Sequence, residues 1–207
     1  MVPAIILAAG RSTRMGSAKA LLRIGTAGPT FVDRLINVLS SGGAAEVLVV
    51  GRRDDMELAR EVERIASAGV SVRLVENANA DRGQLSSVVA GVNAADRPGV
   101  RGVMVMPVDA PLVRIETITA LLHVFDTQQP PVVRATFRGR HGHPVIFARR
   151  VFDALRHADP NVGAKAVVRA HAADLIDVDL DDPAIVLDVD EPGDYTRLLN
   201  DTGDSDR

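Results

Sequence analysis

Apolar residues gather in short, nearly unbroken runs, and the longer stretches between them repeat their apolar positions every three or four residues. Ala4–Ala8 (AIILA), Glu46–Val50 (EVLVV), Ser71–Val75 (SVRLV) and Val103–Met106 (VMVM) are such runs. Runs of this kind, rather than alternating ones, suit strands covered on both faces of a parallel sheet. Thr30–Ser40 sets Phe31, Leu35, Val38 and Leu39 on one helical face, and Asp55–Ala66 does the same with Met56, Ala59, Val62 and Ile65. Leu85–Ala94 and Ile115–Phe125 complete the set of helices. The alternation predicts an α/β class fold: one doubly wound, mostly parallel, Rossmann-like sheet with right-handed crossovers.

The pattern changes after Gln128. Pro130–Phe137 and His143–Phe147 read as strands joined by the polar turn Arg138–Gly142, a small hairpin elaboration of the C-terminal third. Helices follow over Arg150–His157 and Gly163–His171, with short strands expected at Leu175–Val178 and Ile185–Leu187. Pro192 suits the first turn of a last helix reaching Asn200, capped near Asp190 or Glu191. No repeat or linker interrupts the chain. Residues 1–200 are therefore expected to form one domain, with 201–207 (DTGDSDR) as a disordered tail.

Composition narrows the function. With 46% hydrophobic and 25% charged residues, the 207-residue chain has the balance of an ordinary globular domain. A net charge of -3 gives no basic surface for nucleic acid, and 3% aromatics leave few platforms for stacking bases. The absence of cysteine excludes disulfides, thiolate metal sites and a cysteine nucleophile. The first apolar run is too short for a membrane and lacks a basic region ahead of it, so no membrane segment or signal peptide is expected. A cytoplasmic location is the default expectation.

The first strand runs straight into Ala8-Ala9-Gly10, and a polar turn then leads to Lys19. Small residues let backbone N–H groups approach phosphate oxygens, and Arg11, Arg14 and Lys19 bring positive charge to the same place. The spacing is not that of a Walker A loop, because Gly10 and Gly16 stand too far apart and Lys19 does not follow Gly16. Nor is it the dinucleotide fingerprint, because Ser12 stands where the second glycine belongs. Taken alone, the segment also fits a plain strand-to-helix turn with surface basic residues. Asp109 lies just past the carboxyl end of the fourth strand, where α/β sheets place ligands and where a carboxylate suits Mg²⁺. It also suits the cap of the next turn. In Leu187–Tyr195 (LDVDEPGDY), Asp188 and Asp190 fall on one side of an extended segment, and Asp190 doubles as a helix cap. Gly83-Gln84, with Ser86 and Ser87, opens a helix whose free N–H groups and hydroxyls suit a ribose or base, and the same residues also suit a plain capping turn. His141 and His143 lack a third ligand and make a poor metal site.

The string L-A-A-G-x-S-x-R-M-G-x-x-K, from Leu7 to Lys19, resembles the signature loop of the MobA-like nucleotidyltransferases. That family includes sugar-phosphate nucleotidylyltransferases and molybdenum cofactor guanylyl- and cytidylyltransferases. The resemblance implies a loop of Leu7, Ala8, Ala9, Gly10, Arg11, Ser12, Arg14, Met15, Gly16 and Lys19 wrapped round a triphosphate. In it, Arg14 and Lys19 balance the charge of departing pyrophosphate. It implies a D-x-P metal ligand at Asp109 and a second at Asp188 or Asp190, although Glu191 stands where relatives often have Thr. Gln84, Ser86 and Ser87 resemble the G-Q-x-x-S segment that contacts the nucleotide in cytidylyltransferases. Gly142-His143-Pro144-Val145 and Gly163-Ala164-Lys165 resemble their acceptor half, giving Gly142, His143 and Lys165 to the acceptor phosphate. The implied enzyme moves CMP from CTP to molybdopterin with Mg²⁺, and a molybdenum hydroxylase is a possible recipient of the product. The alternatives are GTP or another NTP, a sugar- or alcohol-phosphate acceptor, or a non-catalytic carrier of the cofactor.

Overall fold

Three apolar runs supply the middle of a seven-stranded sheet. β1 (Ala4–Leu7), β2 (Val47–Arg52) and β4 (Gly102–Pro107) are buried almost throughout. Alternation sends Ala4, Ile6, Val49 and Met104 to one core and Ile5, Leu7, Leu48 and Val103 to another on the opposite face. The first core is covered by α1 (Phe31–Ser41), α2 (Met56–Ser67) and α4 (Ile115–Gln128). The second lies under α3 (Gln84–Ala95), α5 (Phe152–Arg156) and α6 (Lys165–Ala170). Burying each large aliphatic side chain contributes about 1.5–3 kcal/mol, which is why the central strands tolerate few polar residues. The computed structural model describes residues 1–10, 18–25, 27–191 and 193–197.

With β3 (Val72–Asn77), β5 (Val132–Phe137), β6 (Arg140–Ala148) and β7 (Ile176–Asp179), the strand order is β3-β2-β1-β4-β6-β5-β7. Strands β1 to β4 pair in parallel, and β5 pairs in parallel with β7. Only β6 runs the other way, between β4 and β5. The sheet is thus doubly wound and mostly parallel, as the sequence pattern predicts, in one α/β domain. α1 is capped by Thr30, whose hydroxyl accepts the Asp33 N–H, and α2 by Asp55, which accepts the Leu58 N–H.

Three expectations need correction. The hairpin turn is tighter than Arg138–Gly142: Arg138 and Gly139 both have positive φ, 49° and 75°, as a two-residue primed turn demands. Pairing therefore resumes at Arg140, opposite Phe137. The strand expected at Ile185–Leu187 is a 3₁₀ turn over Pro183–Val186. Proline fixes the first φ, and the buried Asp182 carboxylate accepts the Ala184 N–H, so the apolar triplet coils instead of extending. The helix expected from Gly163 begins at Lys165, because Gly163 has a φ of 74°. The last helix is described over 193–197, while Pro192 and the proposed tail lie outside the described residues. Among the described residues no helix is long and apolar enough to cross a membrane.

Candidate active site

The carboxyl ends of β1 and β4 open into a cleft of about 530 Å³. Leu7 to Gly10 form one wall as β1 ends, and Pro107 to Asp109 form the next as β4 ends. Lys19 reaches in from a short 3₁₀ turn, Lys19–Leu21. Gln84, the first residue of α3, closes the far side with its free helix N-terminus. Gly83 makes that entry possible, because its φ of 92° is one that side chains rarely adopt.

A second cavity of about 570 Å³ adjoins the first and shares Leu7 and Gln84 with it. Gly142, His143, Lys165 and Asp188 line this second space, while Asp109 and Asp190 line the first. The two groups of residues singled out in the sequence therefore fall into two neighbouring chambers.

The acidic segment is tied directly to β4. The Val189 N–H donates to the Asp109 carbonyl at 2.8 Å, which sets Asp188 and Asp190 on either side of Asp109. Asp194 accepts from the Asp190 and Glu191 N–H groups at 3.1 and 2.9 Å. Tyr195 then donates to the Arg23 carbonyl at 2.9 Å and meets the Phe31 ring edge-on at 6.1 Å. This C-terminal clasp holds the acids at the mouth of the sheet.

Charge separates the three acids. Lys19 Nζ lies 2.6 Å from Asp190 and 3.7 Å from Asp109, with its side chain only 13% exposed. Burial pushes the Asp109 carboxyl above the usual carboxylate range, the negative charges of Asp188 and Asp190 add to this, and Lys19 opposes them. Burial also raises Asp188, as does Asp190, against the pull of Lys19. His143 is pushed the other way by burial and by Lys165, while Asp109 and the Val105 carbonyl favour its protonated form. Among the described residues no hydrogen bond of good geometry reaches its buried Nδ1.

Among the described residues no three His, Cys, Asp or Glu side chains converge on one point to cage a metal by themselves. The donor set is instead two mutually repelling carboxylates, Asp109 and Asp188, beside a chamber open to a ligand. That chemistry fits Mg²⁺, which favours one or two carboxylates completed by phosphate oxygens and water.

The raised acids have a measurable cost. A folded carboxyl raised above its unfolded value binds extra protons in the folded state, so stability falls as pH rises from the usual carboxylate value through the raised one. Metal-free protein is expected to melt at lower temperature as pH climbs through that window. Asp109→Asn is expected to melt above the native chain at about pH 7 with a chelator present, the difference closing towards about pH 3. Equal or lower melting of the variant at neutral pH would show that Asp109 carries no uncompensated charge.

Other expected residues divide. Ser87 lines the first cleft, but the neighbouring Ser86 donates to the Gly83 carbonyl and accepts from Asn77, which also donates to Ser87. Ser86 thus shapes the α3 entry and does not face the cleft. Arg11, Ser12, Arg14, Met15 and Gly16 lie outside the described residues. Sequence reasoning missed Arg52 and Asp81, an ion pair at 3.0 Å on the cleft wall, and missed Asn77 as the organiser of the serines. Asn77 had a signal, being the polar end of an apolar run; the Arg52–Asp81 pair had none.

A family model described as the MobA-like NTP transferase domain matches residues 4–175, so Asp188 and Asp190 lie beyond the matched part. A probable molybdenum cofactor guanylyltransferase of Opitutus terrae is 34% identical over 108 residues, 52% of this chain and 48% of the relative. The molybdenum cofactor guanylyltransferase of Rhodopseudomonas palustris is 31% identical over 146 residues, 70% of this chain and 63% of the relative. The chain thus spans about half to three-fifths of the curated molybdenum cofactor guanylyltransferases it matches. Rv0371c of Mycobacterium tuberculosis superposes with a TM-score of 0.78 at 25% identity, covering 97% of this chain and 98% of that one. The same mycobacterial protein has been solved in complex with manganese, with a TM-score of 0.74 at 24% identity over 96% of this chain and 97% of that one.

Proposed function

The chain belongs to the MobA-like NTP transferase family, and we propose that it joins a nucleoside monophosphate from an NTP to the phosphate of a molybdopterin-type acceptor, with a divalent metal. One observation carries this reading: two chambers meet at Leu7 and Gln84, with Asp109 on the wall of one and Asp188 on the wall of the other. A reaction between two separately held phosphate compounds needs that arrangement. GTP is the donor favoured by the curated molybdenum cofactor relatives, whose names specify guanylyl transfer. CTP is the second reading, supported by the Gln84 and Gly142–Val145 segments that resemble cytidylyltransferases.

In this scheme an acceptor phosphate oxygen attacks the α-phosphorus in line. The bond from that phosphorus to the bridging oxygen of the β-phosphate breaks, and pyrophosphate leaves with the electron pair. Asp109 and Asp188 would hold Mg²⁺ between the chambers; the bound ion supplies positive charge to the phosphate oxygens. Lys19, steadied by Asp190, neutralises the triphosphate, and Arg14 joins it from the loop. Lys165 draws the acceptor phosphate in, and His143, whose charged form burial disfavours, lines the same wall. No protein nucleophile takes part, because positioning and electrostatics suffice.

The test is pyrophosphate release with each of the four NTPs and Mg²⁺, with and without molybdopterin. Release is expected only with acceptor present, and at least about tenfold faster with GTP than CTP. The reverse ratio assigns CTP. Release with a sugar or alcohol phosphate in place of molybdopterin reassigns the acceptor, and no release under any condition points to a carrier and overturns the proposal.

A further inference from the structure

The second cavity carries polar groups in two separate sets. His143 answers electrostatically to Asp109 and Lys165, on the side facing the first cleft. Asp177 of β7 answers to Arg134 and His141. His143 stands on β6 beside β4, whereas Asp177 stands on β7 at the edge of the sheet, two strands further out, so the cavity has an inner and an outer polar end. Much of the remaining wall is apolar, with Val88, Val145 and Phe147.

The outer end is built firmly. Arg134 grips Asp177 with two nitrogens, at 2.7 and 2.9 Å, and His141 lies 3.5 Å from the same carboxylate. Arg140 lines the cavity beside them, on a backbone fixed by the two-residue turn and by pairing with Phe137. Among the described residues no carboxylate or carbonyl holds the Arg140 side chain. Arg134 is matched by Asp177, so the permanent charge of Arg140 is left over on this part of the wall, in a chain whose net charge is -3. A lone phosphate at the inner end has no use for that charge.

We propose that the outer end is a second anion subsite centred on Arg140. The acceptor is then a two-ended molecule: its phosphate lies by Lys165, its flat body rests on the apolar wall, and a second anionic group meets Arg140. This rests on the molybdopterin-type reading of the acceptor, in which that second group is the dithiolate.

The experiment measures equilibrium binding, without NTP, of molybdopterin and of its bis-S-carbamidomethyl derivative, whose sulfurs are uncharged. Native protein is expected to bind the free dithiolate about three- to tenfold more tightly. Arg140→Ala is expected to bind both forms equally, and Arg140→Lys to regain part of the preference. Arg138→Ala, which removes a guanidinium stacked on Phe137 at 4.9 Å, is expected to keep the native ratio. Native protein without a preference, or Arg140→Ala with the native preference intact, removes the second subsite and leaves the acceptor reading standing. If native protein binds neither form, the acceptor reading fails and the subsite goes with it.

Discussion

Replacing Asp109 by Asn is expected to lower kcat by about 10³-fold or more while leaving metal-free nucleotide affinity within about threefold. The side chain is nearly isosteric, so the wall that Pro107, Val108 and Asp109 give the first cleft is kept. The Asp109 carbonyl still accepts from Val189, because that bond uses the backbone. What disappears is the charge that repels Asp188 and Asp190 and that a divalent cation would satisfy. An amide oxygen is a far weaker ligand for Mg²⁺ than a carboxylate, so positive charge on the transferring phosphate is lost where it matters most. Lys19 stays in place through Asp190 at 2.6 Å and keeps the triphosphate attractive. Pyrophosphate release and calorimetric titration of nucleotide with chelator present check the two halves separately. Turnover within about tenfold of native would remove Asp109 from the metal site.

Gly142→Ala is expected to lose about 3 kcal/mol of stability, lowering Tm by about 6–12 °C, and to cut turnover of the folded protein by about tenfold or more. A Cβ at Gly142 would sit 1.8 Å from the Ile185 carbonyl oxygen and 2.6 Å from its carbon. Those are backbone atoms of the 3₁₀ turn and cannot rotate away. The turn cannot retreat either, because buried Asp182 accepts the Arg114 N–H at 2.9 Å, the Thr117 hydroxyl at 2.7 Å and the Ala184 N–H at 3.1 Å. Strand and turn must therefore part, and Asp188 follows that turn closely. Gly139→Ala provides the contrast: its φ of 75° strains a side chain, but no atom lies within 4 Å, so a loss of about 1 kcal/mol is expected. Thermal melts of both variants decide the matter. A Gly142→Ala protein melting with the native chain would mean that the turn yields freely.

The central sheet was legible because burial on two faces leaves a strong trace. Ile5 and Ile6 point to opposite cores and are both fully buried, so the run had to be apolar throughout. The polar turn made the antiparallel pairing of β5 with β6 legible, but the insertion of β6 between β4 and β5 left no such trace, since a buried strand reads alike beside either neighbour. Ile185–Leu187 was misread because three apolar residues fit a strand or a 3₁₀ turn equally, and Asp182 with Pro183 decides between them. At the site, Gly10 and Asp109 were legible from their places just past strand ends, and Lys19 from the motif that it closes. The division of labour between Asp188 and Asp190 was not, because it depends on which one a lysine 171 positions away touches. Ser86 and Ser87 are adjacent in sequence but about 100° apart round a helix, and only the second faces the cleft. The donor base was read as cytosine from short motifs, whereas the curated molybdenum cofactor relatives favour guanine; both readings concern a few contacts on a wall shared by the fold.

The bond between the Val189 N–H and the Asp109 carbonyl also joins two parts of the chain that are made far apart in time. Asp109 follows β4 directly, but Asp188 and Asp190 come after β7, so they leave the ribosome once every strand of the sheet has been made. A chain cut just after β7 would keep every strand and Asp109 but lose both Asp188 and Asp190.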